Sequence, residues 1–363
     1  MRPNILHTIL AVTVLFSLVC VGLAQSERHE QIIPNLTSTP TVSASTVPSN
    51  GDLNPYGVAF VPHGFPAGGP LNAGDIVVSN FNSSANIQGT GTTIVSIRPS
   101  GQQSLFFQGQ PGLGFTTALG SLKRGFVLVG SVPTTDGTCG TIGQTSLLMI
   151  DRNGSLTTTL TDSHLLDGPW DLTTNDRGEF AEVFVSNVLS GTVTRINLRI
   201  PKNGNPVVQS MTQIASGFGH ACNAAAVVVG PTGLAYDAAK DVLYVASTSD
   251  NAIFAVPHAR KTTGDEGTGS LVYQDNVHLH GPLGLLLTPN GDLITANGDA
   301  VNSDPNQPSE LVEFTPAGQF VAQFSVDPGQ GAAFGIAVRV SGNRIRFVAV
   351  DDATNVLDIW ALE

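Results

Sequence analysis

Six short apolar runs in the sequence each end on a polar residue that could bind a ligand or a metal ion. These end residues are Asn80, Ser131, Asn187, Ser247, Asn297 and Asp351. Asn and Asp oxygens that converge on one point suit a hard cation such as Ca²⁺, which takes about six to eight oxygen ligands. The alternative is that each residue caps a turn by bonding its own backbone.

A second set of polar residues precedes six other apolar runs, and it contains histidines. This set comprises Asn54, Gln110, Asp167, His220 with Cys222, and His280. Histidine moves protons near neutral pH, so His280 is the candidate general base, and the alternative is an ordinary loop residue. The predicted ligand-binding residues are Asn80, Asp167, Asn187, Ser247, Asn297 and Asp351. The candidate ligands for a Ca²⁺ or Mg²⁺ ion are Asp167, Asn187, Asn297 and Asp351.

Both sets belong to a repeat of six units. The third residues of the first runs are Gly57, Gly114, Asp171, Gly233, Gly284 and Gly335, between about 50 and 60 residues apart. Each unit continues through a second and a third short apolar run, and most units show a fourth. Four strands at such a period are typical of a propeller blade. We therefore predict an all-β protein whose residues 51–363 form a six-bladed β-propeller with four-stranded antiparallel blades.

The sixth unit ends at Glu363 after only three strands. Residues 25–50 precede the first unit, and within them residues 31–38 are similar in composition to the other fourth strands. We expect a strand near 31–38 to complete the last blade, which would bind both ends of the chain into one sheet. The alternative is that residues 25–50 form a flexible tail.

The predicted topology also decides where the loops lie. In an antiparallel blade, the loop that leads into strand one and the loop between strands two and three lie on the same face. The polar residues of both sets are therefore predicted to line one mouth of the central channel, which we call the channel face.

Cys139 and Cys222 lie in loops of this same face. In an oxidising compartment such a pair can form a disulfide, provided that the Cα atoms come within roughly 7 Å. The alternatives are two free thiols, or a redox or metal role together with His220. The loops that carry the cysteines, 131–145 and 215–230, are long, and long structured loops tend to carry function.

Residues 1–24 have the layout of a signal peptide, with Arg2 before an apolar stretch and Ala24 before the expected cut. The alternative is an uncleaved membrane anchor. Both interpretations place the rest of the chain outside the cytoplasm, so we predict a secreted or periplasmic protein. With 28 acidic and 16 basic residues, the formal net charge of −12 disfavours nucleic acid and anionic membranes as partners.

The fourth and fifth units resemble NHL repeats, in the segments Pro231–Asp237, Asp241–Ser247 and Pro282–Leu293. A weaker likeness extends over 54–362. The resemblance implies a TolB-like six-bladed propeller, a superfamily that includes streptogramin-lyase-like and gluconolactonase-like enzymes and many binding proteins. The Asp-Gly-Pro-Trp segment at 167–170 is similar to the Glu-Gly-Pro-x-Trp motif of gluconolactonase-like enzymes, which hold a metal ion in the channel. Thr232 and Leu283 replace the asparagines of that pattern.

These observations favour binding over catalysis. The sequence has no Gly-x-Ser-x-Gly elbow, phosphate-binding loop or dinucleotide fingerprint. We expect an exported, monomeric propeller that binds a protein or carbohydrate ligand through the channel face. The alternative is a metal-dependent lyase or hydrolase with its site in the central channel and His280 as base.

Overall fold

The computed structural model describes residues 30–306 and 310–362, which form six four-stranded antiparallel sheets. Runs of Val, Ile, Leu, Phe and Thr make the strands, because β-branched and aromatic side chains suit a half-buried pleated surface. The sheets are the blades of a six-bladed propeller, and the first strand of each blade contacts the first strands of its neighbours around the channel. The predicted fold class is confirmed.

The strands are numbered along the chain, and the first, β1 (Val42–Ser45), belongs to the last blade. Blade 1 contains β2 (Leu53–Phe60), β3 (Ile76–Asn82), β4 (Thr93–Ile97) and β5 (Gln103–Gln108). Blade 2 contains β6 (Phe115–Leu122), β7 (Phe126–Ser131), β8 (Ser146–Asp151) and β9 (Leu156–Leu160). Blade 3 contains β10 (Pro169–Asp176), β11 (Phe180–Asn187), β12 (Thr192–Arg199) and β13 (Val207–Ser216).

A separate hairpin of β14 (Ala221–Asn223) and β15 (Val227–Val229) follows blade 3. Blade 4 contains β16 (Pro231–Asp237), β17 (Val242–Ser247), β18 (Ala252–Pro257) and β19 (Ser270–Tyr273). Blade 5 contains β20 (Pro282–Leu287), β21 (Leu293–Asn297), β22 (Leu311–Phe314) and β23 (Phe320–Phe324). Blade 6 contains β24 (Ala333–Ser341), β25 (Arg344–Asp351), β26 (Val356–Leu362) and β1.

The helical content of the described residues is confined to two 3₁₀ turns, Ile33–Asn35 and Cys139–Thr141. Within 30–306 and 310–362, no helix has the length and apolar character needed to cross a bilayer. The predicted signal peptide, 1–24, lies outside the described residues.

An N-terminal strand closes the last blade, as predicted, but its predicted position was wrong. The closing strand is β1, which pairs with β26 from Val42 opposite Ile359 to Ser45 opposite Val356. The predicted segment 31–38 instead forms a 3₁₀ turn whose start is held by Glu313, since its carboxylate accepts the backbone N–H groups of Ile32 and Ile33 at 3.2 and 2.7 Å. Backbone N–H groups that bind a side chain cannot also pair with a neighbouring strand, so this segment attaches the N-terminal part of the described chain to Glu313 of blade 5.

Glycines at the third position of the inner strands let neighbouring backbones meet. A Cβ on Gly284 would lie 2.2 Å from the Phe334 carbonyl oxygen, and one on Gly335 would lie 2.3 Å from the Tyr56 carbonyl oxygen. Side chains are therefore excluded at these points.

The predicted alignment of blade 2 with the other blades was wrong. Phe115 pairs with Ser131 in blade 2 as Pro55 pairs with Asn80 in blade 1. The residue equivalent to Gly57 is therefore Thr117 and not Gly114. In β2 the next paired residue after Pro55 is Val58, three positions further on. In β6 the next paired residue after Phe115 is Leu119, four positions further on, so β6 has one extra residue at this point. An extra residue in one strand of a pair shifts every later position, and a sequence comparison without the pairing misses it.

The core of the described residues consists of seven buried apolar clusters. Six of them lie between adjacent blades, one at each seam of the ring. The seventh fills one end of the central channel and includes Tyr56, Phe81, Trp170, Val227 and Leu283. Because every seam has its own core, the ring positions the channel residues from all sides.

Candidate functional site

The central channel has two ends that differ in their cover. We call the end at which the six inner strands begin the covered end, because the β14–β15 hairpin lies across it. The opposite end, at which the inner strands finish, is called the open end. The residues predicted from sequence belong to loops of the covered end.

The hairpin of Ala221–Val229, here called the strap, is fixed to three other blades. Cys222 forms a disulfide with Cys139 of blade 2, with Cα atoms 5.6 Å apart. The Gln88 amide of blade 1 donates to the Ala225 carbonyl at 2.8 Å, and the Asn223 amide donates to the Ala300 carbonyl of blade 5 at 3.2 Å. The disulfide that the sequence allowed is present, and it holds the strap over the channel.

Asn223 also folds the turn of the strap, because its side-chain oxygen accepts the N–H groups of Ala225 and Ala226 at 2.8 and 3.0 Å. The next residue, Val227, has a φ of +63°, a left-handed conformation that is rare for a β-branched residue. This conformation accompanies the burial of Val227 and Val228 among the aromatic residues of the channel. The strap therefore contributes to the core as well as covering it.

Beneath the strap lies a cavity of about 110 Å³, which we call the vestibule. Its aromatic walls are Tyr56, Trp170 and Phe334, which hold equivalent positions in three inner strands, each directly after a residue that pairs with the polar end of a second strand. The Tyr56 and Phe334 rings are 4.7 Å apart between centroids, and Tyr56 and Trp170 are 6.0 Å apart in an edge-to-face arrangement. The vestibule is much larger than a single water molecule requires, which is about 10–15 Å³.

Two buried polar atoms of the vestibule lack a hydrogen bond of good geometry among the described residues. The indole N–H of Trp170, a fully buried residue, makes no hydrogen bond of good geometry there. The side-chain oxygen of Asn54 is likewise buried without a partner. The half-buried Asp352 carboxylate also lines the vestibule, and burial followed by repulsion from Asp351 raises its pKa to about 6. Unpaired buried polar groups are costly, so they indicate a place for a polar ligand.

The electrostatics of the vestibule are acidic. Tyr56 has a raised pKa, first because it is buried and then because the Asp352 carboxylate disfavours a phenolate, while the neighbouring Trp170 indole offsets a smaller part. Asp352 and Tyr56 are the ionisable side chains among the residues that line the vestibule, and no Lys, Arg or His of the described chain lines it. Near neutral pH the vestibule therefore presents one carboxylate to a bound molecule.

The open end of the channel contains a separate cavity of about 290 Å³, here called the well. Every lining residue belongs to one of the six inner strands, and most are apolar. Asp171 also lines the well and is 8% exposed. Its carboxylate accepts the backbone N–H of Leu172 at 2.8 Å and that of Leu234, on the next blade, at 3.1 Å.

The polar residues at the ends of the second strands fix loops within the protein. The Asn80 amide donates to the Thr46 carbonyl at 3.1 Å, and the Asn187 amide donates to the Leu165 carbonyl at 3.2 Å. Asn297 accepts the His280 N–H at 3.0 Å.

Ser247 donates to Asp250 at 2.6 Å, and Asp351 accepts the N–H of Thr354 at 3.3 Å. The Ser247 and Asp351 bonds lie within one turn, as the alternative predicted. The three asparagines instead link loops that are 34, 22 and 17 residues apart in sequence. None of Asn80, Asn187, Ser247, Asn297 or Asp351 lines the vestibule or the well.

Asp167 lies outside the channel as well. It borders a surface groove of about 550 Å³ beside Cys139 and Leu189. Burial raises the pKa of Asp167, and the nearby His220 and His164 offset part of that rise. The backbone turns after Asp167 at Gly168, which has a φ of +78°, and Trp170 then lies in the channel.

His280 is buried at 1% exposure, and its ring nitrogens face backbone oxygens. Nδ1 lies 2.6 Å from the Asn302 carbonyl oxygen and Nε2 lies 3.2 Å from the Val277 carbonyl oxygen. A histidine held in this way links two loops of blade 5 and has no ring nitrogen directed at the vestibule. The geometry therefore gives a base at this position no route to a substrate in the channel.

The residues of the channel do not fit the metal ion that the gluconolactonase-like resemblance implies. Among residues 30–306 and 310–362, no three His, Cys, Asp or Glu side chains come together as a metal site. The equivalent residues of the six inner strands at this end of the channel are Tyr56, Thr116, Trp170, Thr232, Leu283 and Phe334. A hard cation needs several oxygen ligands, whereas this ring supplies mainly aromatic and aliphatic groups, and its two threonine hydroxyls donate to backbone carbonyls.

The most informative channel residues were missed by the sequence analysis. Tyr56, Trp170 and Phe334 were read as parts of strands, although their shared position, second in the inner strand, was visible in the repeat. Asp171 stood out as the single acidic residue in a column of glycines. Asp352 follows a strand end by one residue, and only its location near the aromatic rings distinguishes it.

Comparisons with known proteins support the fold. No protein-family model matches the sequence, and no curated protein is significantly similar to it. A gluconolactonase from Xanthomonas campestris superposes with a TM-score of 0.55 at 12% identity, covering 92% of this chain and 100% of that one. A proposed oxidoreductase (glucose dehydrogenase) from Thermus thermophilus gives 0.52 at 12% identity, covering 88% and 99%.

A luciferin-regenerating enzyme gives a TM-score of 0.51 at 10% identity, covering 88% of this chain and 94% of that one. At such low identities these likenesses establish the six-bladed propeller fold and carry no function across. The predicted relation to this group of propellers is confirmed at that level, and the NHL-repeat resemblance is a distant one.

Proposed function

We propose that this protein is an exported propeller that binds a small carbohydrate in the vestibule. The observation that carries the proposal is the partly covered cavity with a fully buried Trp170 whose indole N–H has no hydrogen bond of good geometry among the described residues. Binding sites for small molecules combine apolar walls with a few well-placed polar groups. The vestibule has that composition.

A carbohydrate offers both hydrogen-bond donors and acceptors to the polar groups of the vestibule. The Trp170 N–H is a donor without a well-aligned acceptor, whereas the Asn54 oxygen and the Asp352 carboxylate are acceptors that face the same cavity. Sugar hydroxyl groups are both donors and acceptors, and the C–H face of a sugar ring is apolar enough to pack on Tyr56 or Phe334. The vestibule offers a polypeptide no cleft, because the strap and its disulfide lie across it.

The disulfide supports the exported location. Cys139 and Cys222 are bonded, and disulfides persist in oxidising compartments such as the bacterial periplasm and the extracellular space. The proposal agrees with the signal-peptide layout of residues 1–24, and secretion of a tagged full-length chain would test it.

The binding proposal is testable by fluorescence, because the chain has two tryptophans. In a Trp360→Phe variant the signal comes from Trp170 alone. Titration with a panel of small neutral monosaccharides is expected to give saturable quenching for at least one sugar. Trp170→Phe removes the N–H donor and part of the aromatic surface, and we expect calorimetry to show affinity for that sugar reduced about tenfold or more.

Trp360→Phe is the matched control, because the Trp360 indole donates to the Thr37 carbonyl at the edge of blade 6. It should leave the affinity unchanged. If no sugar of the panel binds, or if Trp170→Phe binds the sugar as tightly as the natural protein, the proposal is wrong.

A further inference from the structure

The well at the open end is a second candidate site, on the opposite side of the channel from the vestibule. Its walls are apolar and include Val58, Leu119, Leu285 and Ile336, each from a different blade. No loop or other segment of the described chain lines it. The polar feature of interest is the carboxyl group of Asp171.

Asp171 occupies a position at which side chains are otherwise small. The equivalent residues of the other blades are Gly57, Thr117, Gly233, Gly284 and Gly335. Its two carboxylate oxygens accept one backbone N–H each. An ionised carboxylate can accept about four hydrogen bonds, so each oxygen keeps the capacity for one more.

No positive side chain of the described residues compensates for this carboxyl group inside the well. Asp171 and Tyr236 are the ionisable side chains among the lining residues, and the Tyr236 hydroxyl donates to Asp241 at 3.0 Å. Burial therefore raises the pKa of Asp171 well above its usual range, although its two N–H partners oppose the rise. A buried carboxylate is stabilised most when a cation that can donate hydrogen bonds is brought to it.

We propose that the well binds a primary alkylammonium ion, with the ammonium group on the Asp171 carboxylate and the alkyl chain along the apolar walls. An ammonium group has three donors, which suit the two oxygens. The formal net charge of −12 also favours the approach of a cation over that of an anion. A purely structural role, in which Asp171 only links blades 3 and 4, predicts no such preference.

The test compares three probes of matched chain length by isothermal titration calorimetry at pH 8, namely n-hexylammonium, n-hexanol and hexanoate. We expect hexylammonium to bind about tenfold more tightly than hexanol, and hexanoate to bind more weakly than both. In Asp171→Asn the preference for the amine should be lost while hexanol binding is kept. Asp171→Gly, which restores the residue found at four equivalent positions, serves if the Asn variant does not fold.

Glu310→Gln is the matched control, since it neutralises a buried carboxyl group away from the well. It should keep the tenfold preference. Equal affinities for hexylammonium and hexanol, absence of binding by both, or a preference that survives in the folded Asp171 variant would each overturn the proposal. The outcome does not depend on the carbohydrate site, because the probes and variants address the other end of the channel.

Discussion

At the covered end the strap crosses a channel filled by Tyr56, Trp170 and Leu283, whereas at the open end the same six inner strands line a well that no other described segment crosses. The covered end holds a partly covered vestibule with unpaired polar atoms. The open end holds a larger cavity lined mostly by apolar side chains, with a partly paired carboxyl group. One set of strands therefore supports two different chemical environments.

The difference comes from the loops. On the covered face, residues 132–145 and 217–230 extend beyond the strands and are joined by the disulfide. On the open face most connections between first and second strands are short turns. The long one, 61–75, folds outward, where Phe65 and Leu71 pack in the seam between blades 1 and 2. A long loop covers the channel only if it folds toward the channel axis.

The largest expected effect comes from releasing the strap. Cys139→Ser combined with Cys222→Ser removes a disulfide between residues 83 apart in sequence, and we expect stability to fall by about 2–4 kcal/mol. Calorimetry measures the loss. Hydrogen–deuterium exchange should rise within 221–229, because within 30–306 and 310–362 the strap is then held by the Gln88 and Asn223 side-chain bonds and by apolar packing.

The open end is the internal control for that experiment. Exchange in the halves of the inner strands that line the well should change much less than exchange in the strap. An equal increase at both ends would show that the disulfide stabilises the whole ring and that the two ends are not independent.

An intermediate effect is expected from filling the ring of glycines between the two ends. In Gly284→Ala the new Cβ would lie 2.2 Å from the Phe334 carbonyl oxygen, which is backbone and cannot move away cheaply. We expect a destabilisation of about 1–3 kcal/mol, measured by denaturant unfolding. Gly264→Ala has open space around the new methyl group and should change stability by less than about 0.5 kcal/mol. Similar values for the two variants would contradict the close approach of the inner strands.

The smallest expected effect concerns pH. Burial, followed by repulsion from Asp299, raises the pKa of Glu310 to about 8, although the N–H groups of Ala332 and Ala333 oppose the rise. The folded state therefore holds this proton more tightly than the unfolded state does. This contribution to stability is fully present below the unfolded pKa of about 4.3 and is lost as the pH rises toward 8.

Glu310→Gln removes that dependence and keeps an oxygen for the two N–H groups. Relative to the natural protein, the variant should gain about 1 kcal/mol in unfolding free energy between pH 5 and pH 6, as measured by urea denaturation. Glu266→Gln, at an exposed carboxylate, is the control and should show little gain. A relative gain that shrinks as the pH rises would contradict the burial argument.

Much of the fold followed from the repeat. Strand residues alternate or run in short apolar stretches, and third-position glycines such as Gly57 and Gly284 mark where neighbouring backbones touch. The disulfide between Cys139 and Cys222 followed as a possibility from topology, because both loops had to lie on one face. The position of the closing strand did not follow, since Ile32 and Ile33 look like strand residues until Glu313 is seen to bind their backbone.

The sequence by itself determined the number of blades, their order and the face on which the long loops lie, because these depend on local periodicity. Only the tertiary structure decided which polar groups meet a cavity. The amide N–H groups of Asn80 and Asn187 donate to loop carbonyl and hydroxyl groups outside both cavities, while Trp170, Asn54 and Asp352, from three blades, come together beneath the strap. Whether a polar atom is free depends on partners far away in the chain, and such partners leave no local pattern.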